Sequence, residues 1–175
     1  KESKFIMIDL EIKKVIPNFI TLSNLFLGFV AIVLLGMSLG SKELVFISNA
    51  FIRISCYLIF VAAFLDSIDG KIARKLKISS EFGKEIDSLA DLVSFCLVPS
   101  FLLFVWYYKT SFEINEIIKL TFISSLPLIF GAIRLAKYNA MRNMRESVKY
   151  IGMPTPANAI VICSLILFSM NVLSL

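Results

Sequence analysis

Apolar residues fall into five long runs separated by short polar segments. They cover residues 16–40, 44–65, 85–108, 117–136 and 157–175. Each is long enough to cross a hydrocarbon layer as a helix, and too long for a barrel strand. A backbone at that depth must satisfy its hydrogen bonds within its own segment, so the pattern predicts an all-α polytopic membrane protein built as a bundle of transmembrane helices. Residues 1–15 alternate Lys and Glu with Phe5, Ile6, Ile8, Leu10 and Ile12, as a short amphipathic segment lying at the interface does. Two parts are therefore expected: 1–15 as the juxtamembrane segment and 16–175 as one transmembrane domain.

Within the runs, Pro17 is expected in the first turn of the first span, while Pro99 and Pro127 are expected to kink the third and fourth. Gly36 and Gly40 form a GxxxG, which usually marks close helix packing. Trp106, Tyr107 and Tyr108 read as an interfacial aromatic belt. Arg53 lies about 20 Å along its helix from Asp66, too far to share a site with it, and reads as structural or snorkelling.

Composition agrees with the pattern. Of 175 residues, 58% are hydrophobic, far from the balance of a soluble domain. The net charge of +5 does not imply nucleic acid as a partner, because most of the basic residues fall in short segments outside the apolar spans. Residues 1–14 carry four Lys or Arg, 71–84 carry five and 134–149 carry five, leaving four of the 18 elsewhere. All three clusters fall on one side, which the positive-inside rule makes cytoplasmic. Membrane lipid, especially anionic lipid, is the expected partner surface. Cys56, Cys96 and Cys163 sit inside apolar runs and read as small buried hydrophobes. The chain has no histidine, which excludes His-based zinc sites and Ser-His triads.

Carboxylates must therefore carry any acid–base chemistry, and four of them are concentrated between residues 66 and 91. Asp66 and Asp69 are three residues apart and Asp87 and Asp91 four apart, so on helices each pair shares a face. The segment joining them contains Gly70, Ala73, Arg74 and Gly83, small residues where a ligand must come close and a guanidinium suited to phosphate. Four carboxylates at one interface repel unless cations neutralise them. An all-carboxylate set selects hard ions, Mg²⁺ or Mn²⁺, and two such ions form the familiar clamp for displacement at phosphorus. Asn18, Thr21 and Asn24 give the first span a polar face on the same side, open both to helix–helix hydrogen bonding and to ligand contact; Asn18 and Thr21 are candidates for nucleotide contact.

The run Asp66-x-x-Asp69-Gly70-x-x-Ala73-Arg74, then Gly83-x-x-x-Asp87-x-x-x-Asp91 after eight residues, resembles the signature of the CDP-alcohol phosphotransferase family at all eight fixed positions. Residues 16–24 with Gly28, 87–95, 131–139 and 152–156 resemble its phosphatidylserine synthase branch. In that branch Asn24 stands where relatives using glycerol phosphate or inositol phosphate often carry Arg. The resemblance implies transfer of a phosphatidyl group from a CDP-linked lipid, diacyl or archaeal ether, to serine, with CMP leaving. It also implies that Asp66, Asp69, Asp87 and Asp91 hold two divalent cations and that Asp91 serves as general base. Asp69, Gly70, Ala73, Arg74 and Gly83 would then border the CDP group, and a homodimer is expected. Arg134 and Lys137, three residues apart at the end of the fourth span, are candidates for the serine carboxylate or for lipid anchoring.

Three rival readings remain open. One is the same transfer to inositol phosphate, glycerol phosphate or choline. Another is a cation channel or transporter, which leaves Gly70, Ala73 and Arg74 unexplained. The third is a structural subunit in which the Asp pairs only cap an interface. Relatives usually have six transmembrane helices, so a sixth is expected to be absent from these residues.

Overall fold

The computed structural model describes the backbone of residues 2–40, 45–76, 81–108, 113–143 and 153–172, and the side chains of 18–40, 45–68, 70–71, 81–108, 113–141 and 153–172. It contains helices α1 (Glu2–Gly40), α2 (Val45–Leu76), α3 (Glu81–Asp91), α4 (Val98–Tyr108), α5 (Ile114–Asn143) and α6 (Thr155–Val172). A π-helical turn, Leu92–Leu97, joins α3 to α4 without a break. Among the described residues there is no strand, and five helical stretches are long and apolar enough to span a membrane: Asn18–Gly40, Val45–Ile68, Glu81–Tyr108, Ile114–Met141 and Thr155–Val172. The shortest, at 18 residues, rises about 27 Å, close to the hydrocarbon thickness. The chain is an integral membrane protein.

Helices α1, α2 and α6 each bury a stripe at close to 3.5-residue spacing. On α1 the stripe is Thr21, Asn24, Gly28, Ala31, Leu35 and Ser38. On α2 it runs through Ser48, Ile52, Cys56, Ile59 and Ala63, and on α6 through Thr155, Ala159, Cys163, Ile166 and Met170. These meet Phe95, Val98, Leu102 and Val105 of the central third span, forming one apolar core. The remaining helix faces expose large apolar side chains such as Phe26, Phe64 and Phe168, as lipid-facing surfaces do.

Lipid tails are as apolar as the core, so hydrogen bonds and close backbone approach must help hold the helices together. Ser38 and Ser48 have hydroxyls 2.7 Å apart, and each reaches the other's backbone carbonyl, at 3.2 and 2.9 Å. Ser55 Oγ lies 3.2 Å from the Ala31 carbonyl, tying the middle of α2 to α1. Close approach occurs at Gly28 and Gly131. A Cβ on Gly28 would sit 2.6 Å from Ser94 Oγ, and one on Gly131 would collide with Cys96 Sγ. The GxxxG pair does not pack: a Cβ on Gly36 or Gly40 would meet nothing within 4 Å. The three cysteines are free and buried, as expected of small hydrophobes.

Other expectations are corrected in detail. Pro17 does not sit in the first turn of its helix, because α1 runs unbroken from Glu2 through it, while the stretch long and apolar enough to span a membrane begins at Asn18, close to the expected start. The acidic connector is also mostly helix: α2 continues through Gly70, Ala73 and Arg74, and α3 starts at Glu81 and includes Gly83. Ahead of Pro99 lies the π turn, in which the Val98 N–H reaches Val93 O, one residue beyond the α-helical partner. Beyond Pro127, the Leu128 N–H turns to Ser100 Oγ at 2.9 Å, so the interrupted ladder of α5 is completed by its neighbour.

Candidate active site

The buried stripes lead to one end of the bundle. Ile59 and Ala63 point along α2 toward Asp66, seven residues after Ile59, so this carboxylate continues the helix's inward face instead of its lipid face. On α3, Gly83, Asp87 and Asp91 succeed one another at four-residue spacing and share a face. Asp66, Asp87 and Asp91 converge: an oxygen from each lies within 4.8 Å of the others, and all three side chains are half-buried. Three hard oxygen donors at that separation fit a divalent ion such as Mg²⁺ or Mn²⁺. The side chains of Asp69, Ala73 and Arg74 lie outside the described residues, but their backbone places them along α2 at three- and four-residue steps from Asp66. At Gly70 a Cβ would meet no atom within 4 Å, which is open space beside the acidic pair.

The α1 face supplies Asn18, half-buried, and Thr21 and Asn24, which are 5% and 0% exposed. Ser94 Oγ donates to the Asn24 carbonyl at 3.1 Å, fixing α1 against the turn that follows Asp91. Neither side-chain amide atom of Asn24 has a hydrogen-bond partner among the described residues. A buried amide in that state costs about 1–3 kcal/mol, so it calls for a functional account.

Helix α5 runs antiparallel to the third span, and its register follows from three contacts: Leu128 with Ser100, Gly131 against Cys96, and Asn139 with Ser88. Asn139 Nδ2 is 3.0 Å from Ser88 Oγ, the residue after Asp87. This register brings Arg134 and Lys137 level with the turn around Asp91. Arg134 is half-buried and within electrostatic range of Cys96, as Asp91 is, whereas Lys137 is exposed.

Comparison with family models matches residues 14–175 to CDP-alcohol phosphatidyltransferase. The chain belongs to the CDP-alcohol phosphatidyltransferase family. Among curated relatives it is similar to CDP-diacylglycerol–serine O-phosphatidyltransferase of Helicobacter pylori strain J99, 34% identical over 146 residues, covering 83% of this chain and 54% of that protein. The proteins of that name from Methanocaldococcus jannaschii and Bacillus subtilis are 33% and 36% identical, over 86% and 81% of this chain and 61% and 69% of theirs. The chain thus spans about half the length of the Helicobacter relative. No solved structure gives a significant match.

Within this family member, sequence reasoning missed two polar groups that border the acidic helix. Thr155 Oγ1 lies 3.4 Å from Asp91 Oδ2, though residues 152–156 read only as part of a family block. The Ser88–Asn139 pair was equally hidden, because a polar contact spanning 51 residues leaves no local pattern.

Proposed function

We propose that this protein transfers a phosphatidyl group from a CDP-linked lipid to the hydroxyl of L-serine, releasing CMP and forming phosphatidylserine. The observation that carries this reading is the convergence of Asp66, Asp87 and Asp91 at the end of the buried stripes. The family membership and the printed names of the three relatives support the donor and the acceptor.

In this reading Asp66, Asp69, Asp87 and Asp91 hold two divalent cations, Mg²⁺ or Mn²⁺. When bound, such ions polarise the phosphoryl oxygens and neutralise charge on the leaving CMP. The residues of the chain do the rest. Asp91 accepts the proton of the serine hydroxyl as its oxygen bonds to the phosphatidyl phosphorus and the bond to CMP breaks. Arg74, two turns beyond Asp66 on α2, pairs with phosphate oxygens. Gly70, Ala73 and Gly83 let the nucleotide approach the backbone, and Asn18 and Thr21 border it from α1. Arg134 receives the serine carboxylate, with Lys137 beside it, a role that the α5 register favours. Asn24 completes its unsatisfied amide with the acceptor, where an Arg would instead demand a phosphate.

The donor carries diacylglycerol or ether-linked chains. The Lys and Arg distribution supports a cytoplasmic site and N-terminus. The exposed apolar face of α5, including Phe122, Ile129 and Ile133, suits a second copy as well as lipid.

The test is incubation of the purified protein in detergent with CDP-diacylglycerol, MnCl₂ or MgCl₂, and labelled serine, glycerol phosphate or inositol phosphate. Label from serine alone in the lipid phase supports the proposal. Label from another alcohol alone would keep the transfer and refute the acceptor; none from any would refute the enzyme reading.

A further inference from the structure

Thr155 opens α6 and is 6% exposed, at the head of the stripe that seats this helix in the core. Pro154 and Pro156 flank it, so the backbone on both sides has its φ fixed near −65°. The Asn158 N–H bonds the Pro154 carbonyl at 3.1 Å, closing the first turn tightly. A threonine held this way has little freedom to wander, and its hydroxyl faces Asp91 Oδ2 at 3.4 Å. The positive end of the α6 dipole approaches the same carboxylate. At 3.4 Å the contact is long for a hydroxyl–carboxylate bond, so its value lies in direction more than in stability.

Direction matters for Asp91 more than for its neighbours. In the reading above, this one carboxylate touches a cation and takes the proton of the acceptor, so its two oxygens need defined places. A donor fixed to a helix end on one oxygen determines where the other points, as outer partners of metal-binding carboxylates do.

We propose that Thr155 is a positioning residue: its hydroxyl engages Oδ2 of Asp91 and so aims the carboxylate at the cation and the acceptor hydroxyl. The inference rests on the role assigned to Asp91 in the proposed function. It predicts that loss of the hydroxyl weakens metal binding and slows turnover together, while leaving recognition of the CDP-lipid alone.

The experiment compares the wild type with Thr155→Val, Thr155→Ala and Thr155→Ser in the full chain in detergent. Mn²⁺ affinity of the resting protein is read from the spectroscopic signal of free Mn²⁺, and kcat and KM from CMP release. Val and Ala are each expected to weaken Mn²⁺ binding and to lower kcat by about tenfold, with KM for CDP-diacylglycerol unchanged; Ser is expected to restore both. Ala covers the case in which Val fails to fold. Wild-type affinity and kcat in the hydroxyl-free variants would overturn the inference, as would a Ser variant as impaired as Val, which would point to the methyl group. If the wild type releases no CMP with serine, the proposed function fails by itself, and the Mn²⁺ affinities of the same variants still decide the role of Thr155.

Discussion

Asp66→Asn should make the metal-free protein at least as stable as the wild type while abolishing most of its stabilisation by metal. One carboxylate oxygen from each of Asp66, Asp87 and Asp91 lies within 4.8 Å of the other two. At an effective dielectric constant of about 20, each ionised pair at that distance repels by roughly 3.5 kcal/mol. Replacing Asp66 by an amide of the same shape removes two of the three repulsions and takes away one ligand. In the wild type, a divalent ion at about a hundred times its Kd stabilises the folded state by about 2.7 kcal/mol. For a chain of this length that corresponds to about 5–10 °C in Tm. The assay is thermal unfolding in detergent with EDTA, then with excess MnCl₂. The expected pattern is a wild-type Tm that rises with Mn²⁺, and an Asp66→Asn Tm that matches or exceeds the wild type in EDTA and moves little with metal. A wild type indifferent to Mn²⁺, together with a variant destabilised in EDTA, would refute the view that these carboxylates form one cation site.

Asn24→Leu, which removes a fully buried amide without partners among the described residues, should raise thermal stability by about 1–3 kcal/mol and lower serine-dependent activity; a stabilised variant with full activity would show that Asn24 has no part in the reaction. Gly131→Val should destabilise by about 1–3 kcal/mol through overpacking against Cys96, whereas Gly36→Ala should be neutral or better, both read from thermal unfolding. Ser38→Ala should cost about 1 kcal/mol and leave kcat unchanged, since the Ser38–Ser48 clasp lies about 20 Å along α1 from Asn24, where α1 meets the turn after Asp91.

The membrane bundle was legible because span length and apolar runs are properties of each segment alone. The same holds for the carboxylates: spacings of three and four put each Asp pair on one helix face, and Asp66, Asp87 and Asp91 do converge. Helix ends were less legible, because α2 carries polar residues two turns past Asp66, where hydropathy falls but helical hydrogen bonding continues to Leu76. The small-residue signal misled at Gly36 and Gly40 and applied at Gly28 and Gly131, since a glycine's packing depends on what lies opposite it. Thr155 and Asn139 were not legible as site neighbours, because their partners are 64 and 51 residues away. Nor does any residue pattern announce the π turn, which lies between a carboxylate face and a proline.

The most direct test of the central claim is CMP release from CDP-diacylglycerol by wild-type protein and Asp91→Asn, each measured with and without serine and across a Mn²⁺ titration. The account predicts release that requires both serine and Mn²⁺ in the wild type and falls by about 10²–10⁴-fold in the variant. Serine-dependent release that persists in Asp91→Asn, or proceeds unchanged in EDTA, would contradict it.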